Sequence, residues 1–295
     1  MKLINSSVIV KEQESGIDGV YKQIEWAGRH CYKSLDKITE NSAKEFVDRM
    51  IKLGHGAMLE HGTIYLKIDK TEDGHLPPAR LYWSDGNHKK YTKVRKHGNS
   101  IYVTTNLRVI VENNRLDDLQ YQVEPTEHHE KRITAKFICD RGVSHEFVRH
   151  RVFSFAQEST RYCDYSKDKF RNDITYIIPS WLDLPEGKYS NWDNDWCDVS
   201  ELKLLYPEVD NLSDPANCFL QSIKNAEYYY FMLINRGWKP QQARQVLPNA
   251  TKTELVMTGF ESDWEHFLSL RTSKNAHPDA QRLSLKLKEL LYDEK

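Results

Sequence analysis

The stretch Ile133-Thr134-Ala135-Lys136-Phe137-Ile138-Cys139-Asp140 alternates apolar and polar side chains more cleanly than any other part of the chain. A period of two is the period of a β-strand, so Ile133, Ala135, Phe137 and Cys139 are expected on its core face. Gly142 breaks the pattern, and Ser144 is expected to cap a short helix carrying Glu146, Phe147 and Val148. That helix runs into Arg149-His150-Arg151-Val152-Phe153-Ser154-Phe155-Ala156-Gln157-Glu158-Ser159-Thr160-Arg161-Tyr162, which holds three arginines, three serine or threonine hydroxyls and a histidine in fourteen residues. Strand, break, short helix, then loop is a common way to hold ligand-binding groups on a rigid scaffold.

On the N-terminal side, Leu3 to Val10 reads as a first strand. Val20, Ile24, Ala27 and Cys31 recur at helical spacing over Asp18 to Tyr32. Asn41-Ser42 is expected to cap a second helix that Gly54 ends, and Glu60 to Ile68 reads as a strand. Residues at about 69–100 are polar, with Gly74, Pro77, Pro78, Gly86 and Gly98, and suggest an inserted hairpin or long loop bearing the basic run His88 to His97. Tyr102 to Val111 returns to strand and then helix. On the C-terminal side, about 179–211 reads as a second insertion, followed by a long helix capped by Asp214 and ended by Gly237. Pro240 opens a short helix that Pro248 stops. A strand at Thr253 to Thr258 and helices at Ser262 to Leu270 and Pro278 to Tyr292 complete the order. The order alone supports a mixed α and β fold.

With 295 residues, 39% hydrophobic and 29% charged, the chain can bury a sizeable core as a globular protein. A formal net charge of −1 gives no global field toward nucleic acid or membrane. No apolar run approaches the roughly 20 residues of a membrane span, and no secretory h-region is evident, so the cytoplasm is the expected compartment. The five cysteines stand singly, without a redox or metal spacing, and read as packing thiols.

Arginine offers a planar fork of donors that matches phosphate oxygens and keeps its charge. Arg149 and Arg151 could therefore serve two anions or two phosphates of one long ligand. Ser159 and Arg161, alternating in an extended loop, would form a monoester-phosphate clamp. Ion pairs with Glu146, Glu158 and Asp164 are the alternative for these arginines. His55-Gly56-Ala57-Met58-Leu59-Glu60-His61 has metal-type residues in a spacing unlike H-E-x-x-H, with no third ligand evident. Gly54, just before it, and Gly56 instead suit a backbone contact to a pyrophosphate or ribose. Ala243-Arg244-Gln245-Val246-Leu247-Pro248, His266-Phe267-Leu268-Ser269-Leu270-Arg271 and Ala280-Gln281 are each unremarkable alone; Arg271 would complement a helix dipole.

In this order, the segments resemble the flavin-dependent (alternative) thymidylate synthases. Arg149-His150-Arg151, seven residues and Ser159 match that family's signature, and the other segments resemble its histidine turn, A-R-x-V-L-P, H-F-L-x-L-R and A-Q elements. The resemblance covers roughly Ile4 to Leu290. It implies a single α+β domain over 1–295, with a twisted, largely antiparallel sheet flanked by long helices, assembled as a homotetramer with sites shared between subunits. It implies a methyltransferase and flavoprotein of nucleotide biosynthesis: dUMP receives a methylene from methylenetetrahydrofolate, and FAD reduced by NADPH supplies the hydride, giving dTMP.

By the same resemblance, His55, Ala57, Arg149, His150, Arg151, Gln157 and His266 contact FAD. Glu146, Arg149, Gln157, Glu158, Ser159, Thr160, Arg161, Arg244 and Arg271 bind dUMP, and Arg271 is the catalytic residue, favouring ionisation at uracil N3. No metal, nucleic acid or membrane is implied. The chain departs from the family at Ala156-Gln157, where Asn-Glu is frequent, and at Gly259-Phe260-Glu261-Ser262, which lacks an Asn and an Arg often used for FAD. From the residues alone, a non-catalytic nucleotide- or RNA-binding protein and a metal-dependent hydrolase on His55, Glu60 and His61 are the competing readings.

Overall fold

The computed structural model of the chain describes residues 1–84, 91–161, 163–167, 173–189 and 215–293. Its strands are β1 (Lys2–Ile4), β2 (Ser7–Lys11), β3 (Thr63–Asp69), β4 (Lys93–His97), β5 (Ser100–Asn106), β6 (Arg132–Asp140), β7 (Ser154–Gln157), β8 (Thr175–Ile177), β9 (Gly187–Lys188) and β10 (Lys252–Phe260). The helices are α1 (Gly16–Cys31), α2 (Ser42–Lys52), α3 (Gly56–Leu59), α4 (Pro78–Ser84), α5 (Leu107–Glu112), α6 (Arg141–Phe147), α7 (Pro215–Asn235), α8 (Pro240–Ala243), α9 (Glu261–Arg271) and α10 (Pro278–Lys288).

The alternating stretch is β6, with Ala135, Phe137 and Cys139 fully buried. It lies inside a four-stranded sheet of order β2-β6-β10-β7, in which β7 and β10 pair antiparallel from Ser154↔Thr258 to Gln157↔Leu255. A second sheet, β3-β5-β4, is antiparallel throughout. The third, β8-β1-β9, holds one parallel pair, β1 with β8. The fold is thus α+β with largely antiparallel pairing, as expected.

Contacts divide the chain into two compact units: Met1–Ser7, Ile138–Glu146 and Ser159–Thr253 form one, and Val8–Phe137, Phe147–Glu158 and Glu254–Lys295 the other. The first is built on Leu3, Tyr176, Ile178, Ile223 and Tyr230, with α7 supplying the last two. The second has a larger core in which Val20 and Ile24 of α1, Phe46 and Val47 of α2 and Ile64 and Leu66 of β3 pack together.

Several local expectations change. Leu3 to Val10 forms two short strands in different sheets rather than one. The helix after β6 begins three residues before Ser144, at Arg141; its cap is Asp140, whose Oδ1 accepts the Val143 N–H at 2.7 Å. Ser144 lies within the helix and donates to the Arg141 carbonyl at 2.8 Å. Asn41 makes no side-chain cap bond at the start of α2; the Ser42 hydroxyl instead donates to Glu25 at 2.8 Å. Between β3 and β5, the polar segment contains α4 and a β4–β5 hairpin turned by Gly98, whose φ of +55° suits glycine. Residues 85–90 of the first expected insertion, 190–211 of the second, and Asp214 lie outside the described residues.

Candidate active site

Arg149-His150-Arg151 occupies a tight turn after α6. The His150 N–H bonds to the Phe147 carbonyl at 3.1 Å, and the Phe153 N–H to the His150 carbonyl at 3.1 Å. Phe147 and Phe153 are the buried anchors of this turn, while Arg149, Arg151 and Val152 face outward. Phe147 meets Phe267 of α9 edge-on at 5.1 Å and Phe153 meets Trp264 at 4.5 Å. A Cβ on Gly259 would come within 2.5 Å of the Phe153 ring, so glycine is required for this close approach. The aromatic spacing of α9 thus fixes where the arginine turn sits.

Arg271, at the end of α9, donates its Nε–H to His150 Nε2 at 2.9 Å. Guanidinium has no acceptor, so Nε2 must present a lone pair; the imidazole is neutral and keeps its proton on Nδ1. The ring also rests against Phe267, centroids 4.8 Å apart. Two motifs 121 residues apart are therefore joined by one bond. His266, on the same helix, is exposed.

Along β7, Ser154 and Ala156 are buried and Phe155 and Gln157 half-buried; Glu158, next in line, is buried again. Glu158 lies 3.4 Å from the ammonium of Lys33, which also pairs closely with Glu254. Glu254 accepts from His30 Nδ1 at 2.6 Å. Burial pushes the His30 pKa down, and Glu254 opposes that shift only partly. None of His30, Lys33 and Glu254 stands in a motif, so sequence reasoning missed this network.

In the other unit, the segment after Glu158 curls instead of running extended: Ser159 Oγ accepts the Arg161 N–H at 3.3 Å, and the Cys163 N–H reaches the Ser159 carbonyl at 2.9 Å. Arg161 Nε donates to Gln241 Oε1 at 3.3 Å, and Arg244 Nη1 to Thr160 Oγ1 at 3.3 Å. Pro240 opens α8, and the turn of helix after it presents Gln241 and Arg244 to the Ser159–Arg161 curl. Two exposed guanidinium groups and two hydroxyls are gathered there, a donor set for an anion. Gln241 was not singled out from the sequence. Glu146 is half-buried near the end of α6, and Tyr162 lies outside the described residues.

His55 and Ala57 are exposed at the start of α3. Glu60 is buried and paired with Arg108. His61 is fully buried, with Nδ1 2.8 Å from Thr258 Oγ1, which in turn meets Thr134 Oγ1 at 2.8 Å. Burial, with Arg132 adding to it, pushes the His61 pKa down to about 3. Glu60 and His61 are thus engaged separately, and no group of three His, Cys, Asp or Glu placed for a metal ion occurs among the described residues.

Residues 120–294 match the family described as thymidylate synthase complementing protein. The chain belongs to that family. Relatives similar to it include the flavin-dependent thymidylate synthase of Mycobacterium avium (strain 104), 24% identical over 280 residues, covering 94% of this chain and 77% of the relative. The flavin-dependent thymidylate synthase of Corynebacterium diphtheriae is 25% identical over 282 residues, covering 92% and 74%. Among solved structures, a UMP/dUMP methylase, PolB, from Streptomyces cacaoi bound with 5-Br dUMP aligns over 98% of this chain and 90% of its own, with 15% identity and a TM-score of 0.41.

Proposed function

We propose that the protein methylates dUMP reductively to dTMP, with methylenetetrahydrofolate as carbon donor and FAD reduced by NADPH, as a cytoplasmic homotetramer with sites shared between subunits. The observation that carries the reading is the Arg271–His150 bond, which ties the R-H-R motif to the H-F-L-x-L-R helix in a chain that belongs to this family.

The residues present suit a flavin. Exposed Arg149 and Arg151 offer forks for a pyrophosphate, and exposed Val152 and Leu270, next to Arg151 and Arg271 in sequence, offer apolar surface for a flat ring. His150 and the half-buried Gln157 add hydrogen-bonding groups; His55, Ala57 and His266 complete the FAD set implied by the family. Where members often carry Asn and Arg, this chain has the Phe260 ring with Lys93 4.6 Å above it and Ser262 bonded to Lys93 at 2.7 Å. When bound, the flavin supplies the hydride.

In this reading Ser159, Thr160, Arg161 and Arg244 hold the dUMP phosphate, with Arg149, Gln157, Glu158 and Glu146 as further contacts. Glu158, already committed to Lys33, acts through its main chain and position. Arg271 is the catalytic residue: a fixed positive charge beside the uracil stabilises negative charge at N3. His150 holds the Arg271 guanidinium in one orientation by accepting its Nε–H. The decisive assay is dUMP-dependent oxidation of NADPH with methylenetetrahydrofolate present. Formation of dTMP supports the reading; NADPH oxidation that ignores dUMP overturns it.

A further inference from the structure

We propose that Lys33 is a positioning residue for Gln157 and Glu158 at the end of β7, an inference that rests on the functional reading above, which assigns both to dUMP. The helix α1 ends at Cys31, and Lys33 adopts a φ of +48°. The Ser34 N–H returns to the Arg29 carbonyl at 3.1 Å and the Lys33 N–H to the His30 carbonyl at 3.4 Å. This is the helix-ending arrangement in which the left-handed position is usually glycine, because any Cβ there is strained. Helix termination therefore favours glycine at this position. The chain keeps a lysine and uses its side chain.

The ammonium group pairs closely with Glu254 and lies 3.4 Å from Glu158 Oε2. The lysine side chain is 20% exposed and that of Glu158 only 3%, so water screens the cluster poorly. The Glu158 N–H bonds to the Glu254 carbonyl at 2.8 Å, joining the same two residues through the main chain. A second contact comes from the same helix end: the Cys31 thiol reaches the main chain of Gln157, and Cys31 packs with Ala27, Ala156 and Val256. The end of α1 thus grips Gln157 through its backbone and Glu158 through its carboxylate. Gln157 and Glu158 are both in the dUMP set of the functional reading, so this grip holds two of its residues at the end of β7. Without Lys33, two buried carboxylates would lose their shared cation, and the strand end would move to rehydrate them.

A merely structural lysine and a positioning one differ in what Lys33→Gly does. Glycine relieves the backbone strain while removing the ammonium. Purified protein carrying Lys33→Gly should bind dUMP about tenfold more weakly, the effect of losing a charge-assisted contact. Amide hydrogen exchange at Gln157 and Glu158 should speed up. Lys33→Arg should restore dUMP affinity to within about threefold, since it keeps a cation. If Lys33→Gly does not fold, Lys33→Gln, which removes the ammonium and leaves both carboxylates, should show the same faster exchange. Unchanged dUMP affinity or unchanged exchange in the glycine variant overturns the role of Lys33. Wild-type protein that takes up no dUMP overturns the reading of the site on which that role rests.

Discussion

His61 and His150 each sit in a segment that invites a functional assignment, and their surroundings differ in burial and in hydrogen-bond partner. His61 is fully buried, bonded to Thr258, and held neutral by burial and by Arg132. His150 is half-buried at a turn and accepts a hydrogen bond from the guanidinium of Arg271. Both are neutral, but for different reasons: the first because solvent is excluded, the second because the atom facing Arg271 must be a lone pair. Burial with a neutral hydroxyl partner marks a residue that stabilises the fold. A half-exposed ring that orients a cation is, in the proposed reading, one that serves a ligand.

The sharpest way to break that comparison is to remove the cation. Arg271→Ala should lower dUMP-dependent turnover about a hundredfold or more, the scale seen when a group that stabilises developing charge is lost. Bound flavin, read from visible absorbance, should remain. Turnover near wild type would remove the distinction between the two regions, because His150 would then orient nothing that matters.

The next effect tests the buried histidine. The His61 pKa lies at about 3 in the fold against an ordinary value of 6.5. The unfolded chain therefore binds a proton that the folded one refuses. Stability is fully present above the ordinary value and is lost as pH falls from there toward the folded one. Going from about pH 7.5 to about pH 4.5 should remove roughly 2–3 kcal/mol through this group. His30, also pushed down by burial, acts in the same direction. In urea titrations His61→Gln should flatten the acid-side loss, leaving the slope that His30 and the carboxylates supply. An unchanged acid limb would show that His61 is not held neutral.

What could be read in advance follows the range of the interactions involved. The R-H-R turn, the Arg244 helix and the Arg271 helix carry short motifs that are unremarkable singly and stand out only as an ordered set resembling the family. The alternation of β6 is local, and it holds from Ala135 to Cys139. Gly142 suggests a helix start after it, whereas the side chain that meets the Val143 N–H, Asp140, comes before it. Leu3 to Val10 reads as one strand because nothing in eight residues shows that two sheets share it. Lys33 was invisible for a deeper reason: its partner Glu254 is 221 residues away, and its left-handed backbone appears only once α1 has a defined end. Gln241 likewise acquires meaning only when Arg161 folds back to it.

A smaller effect asks whether His150 works through its acceptor or its bulk. His150→Phe keeps an aromatic ring against Phe267 but cannot accept the Arg271 Nε–H, and should reduce kcat about tenfold, the scale of a charge-assisted hydrogen bond. His150→Gln supplies an amide oxygen and should recover most of that loss. If the phenylalanine variant keeps full kcat, the ring is packing, and His150 joins His61 on the structural side of the comparison.

The smallest expected change concerns Arg151, which is exposed and therefore screened by water and salt. An exposed guanidinium contributes modestly to holding a charged ligand, so Arg151→Ala should weaken flavin retention about threefold at low salt. The difference between variant and wild type should shrink as salt is added, because screening weakens the contact in the wild type while the variant has none to lose. Gel filtration followed by the ratio of visible to protein absorbance measures both. A salt-independent loss of flavin would instead show that Arg151 shapes the turn that carries His150. The contrast between exposed arginines that meet ligands and an oriented one that acts on them would then narrow to Arg271 alone.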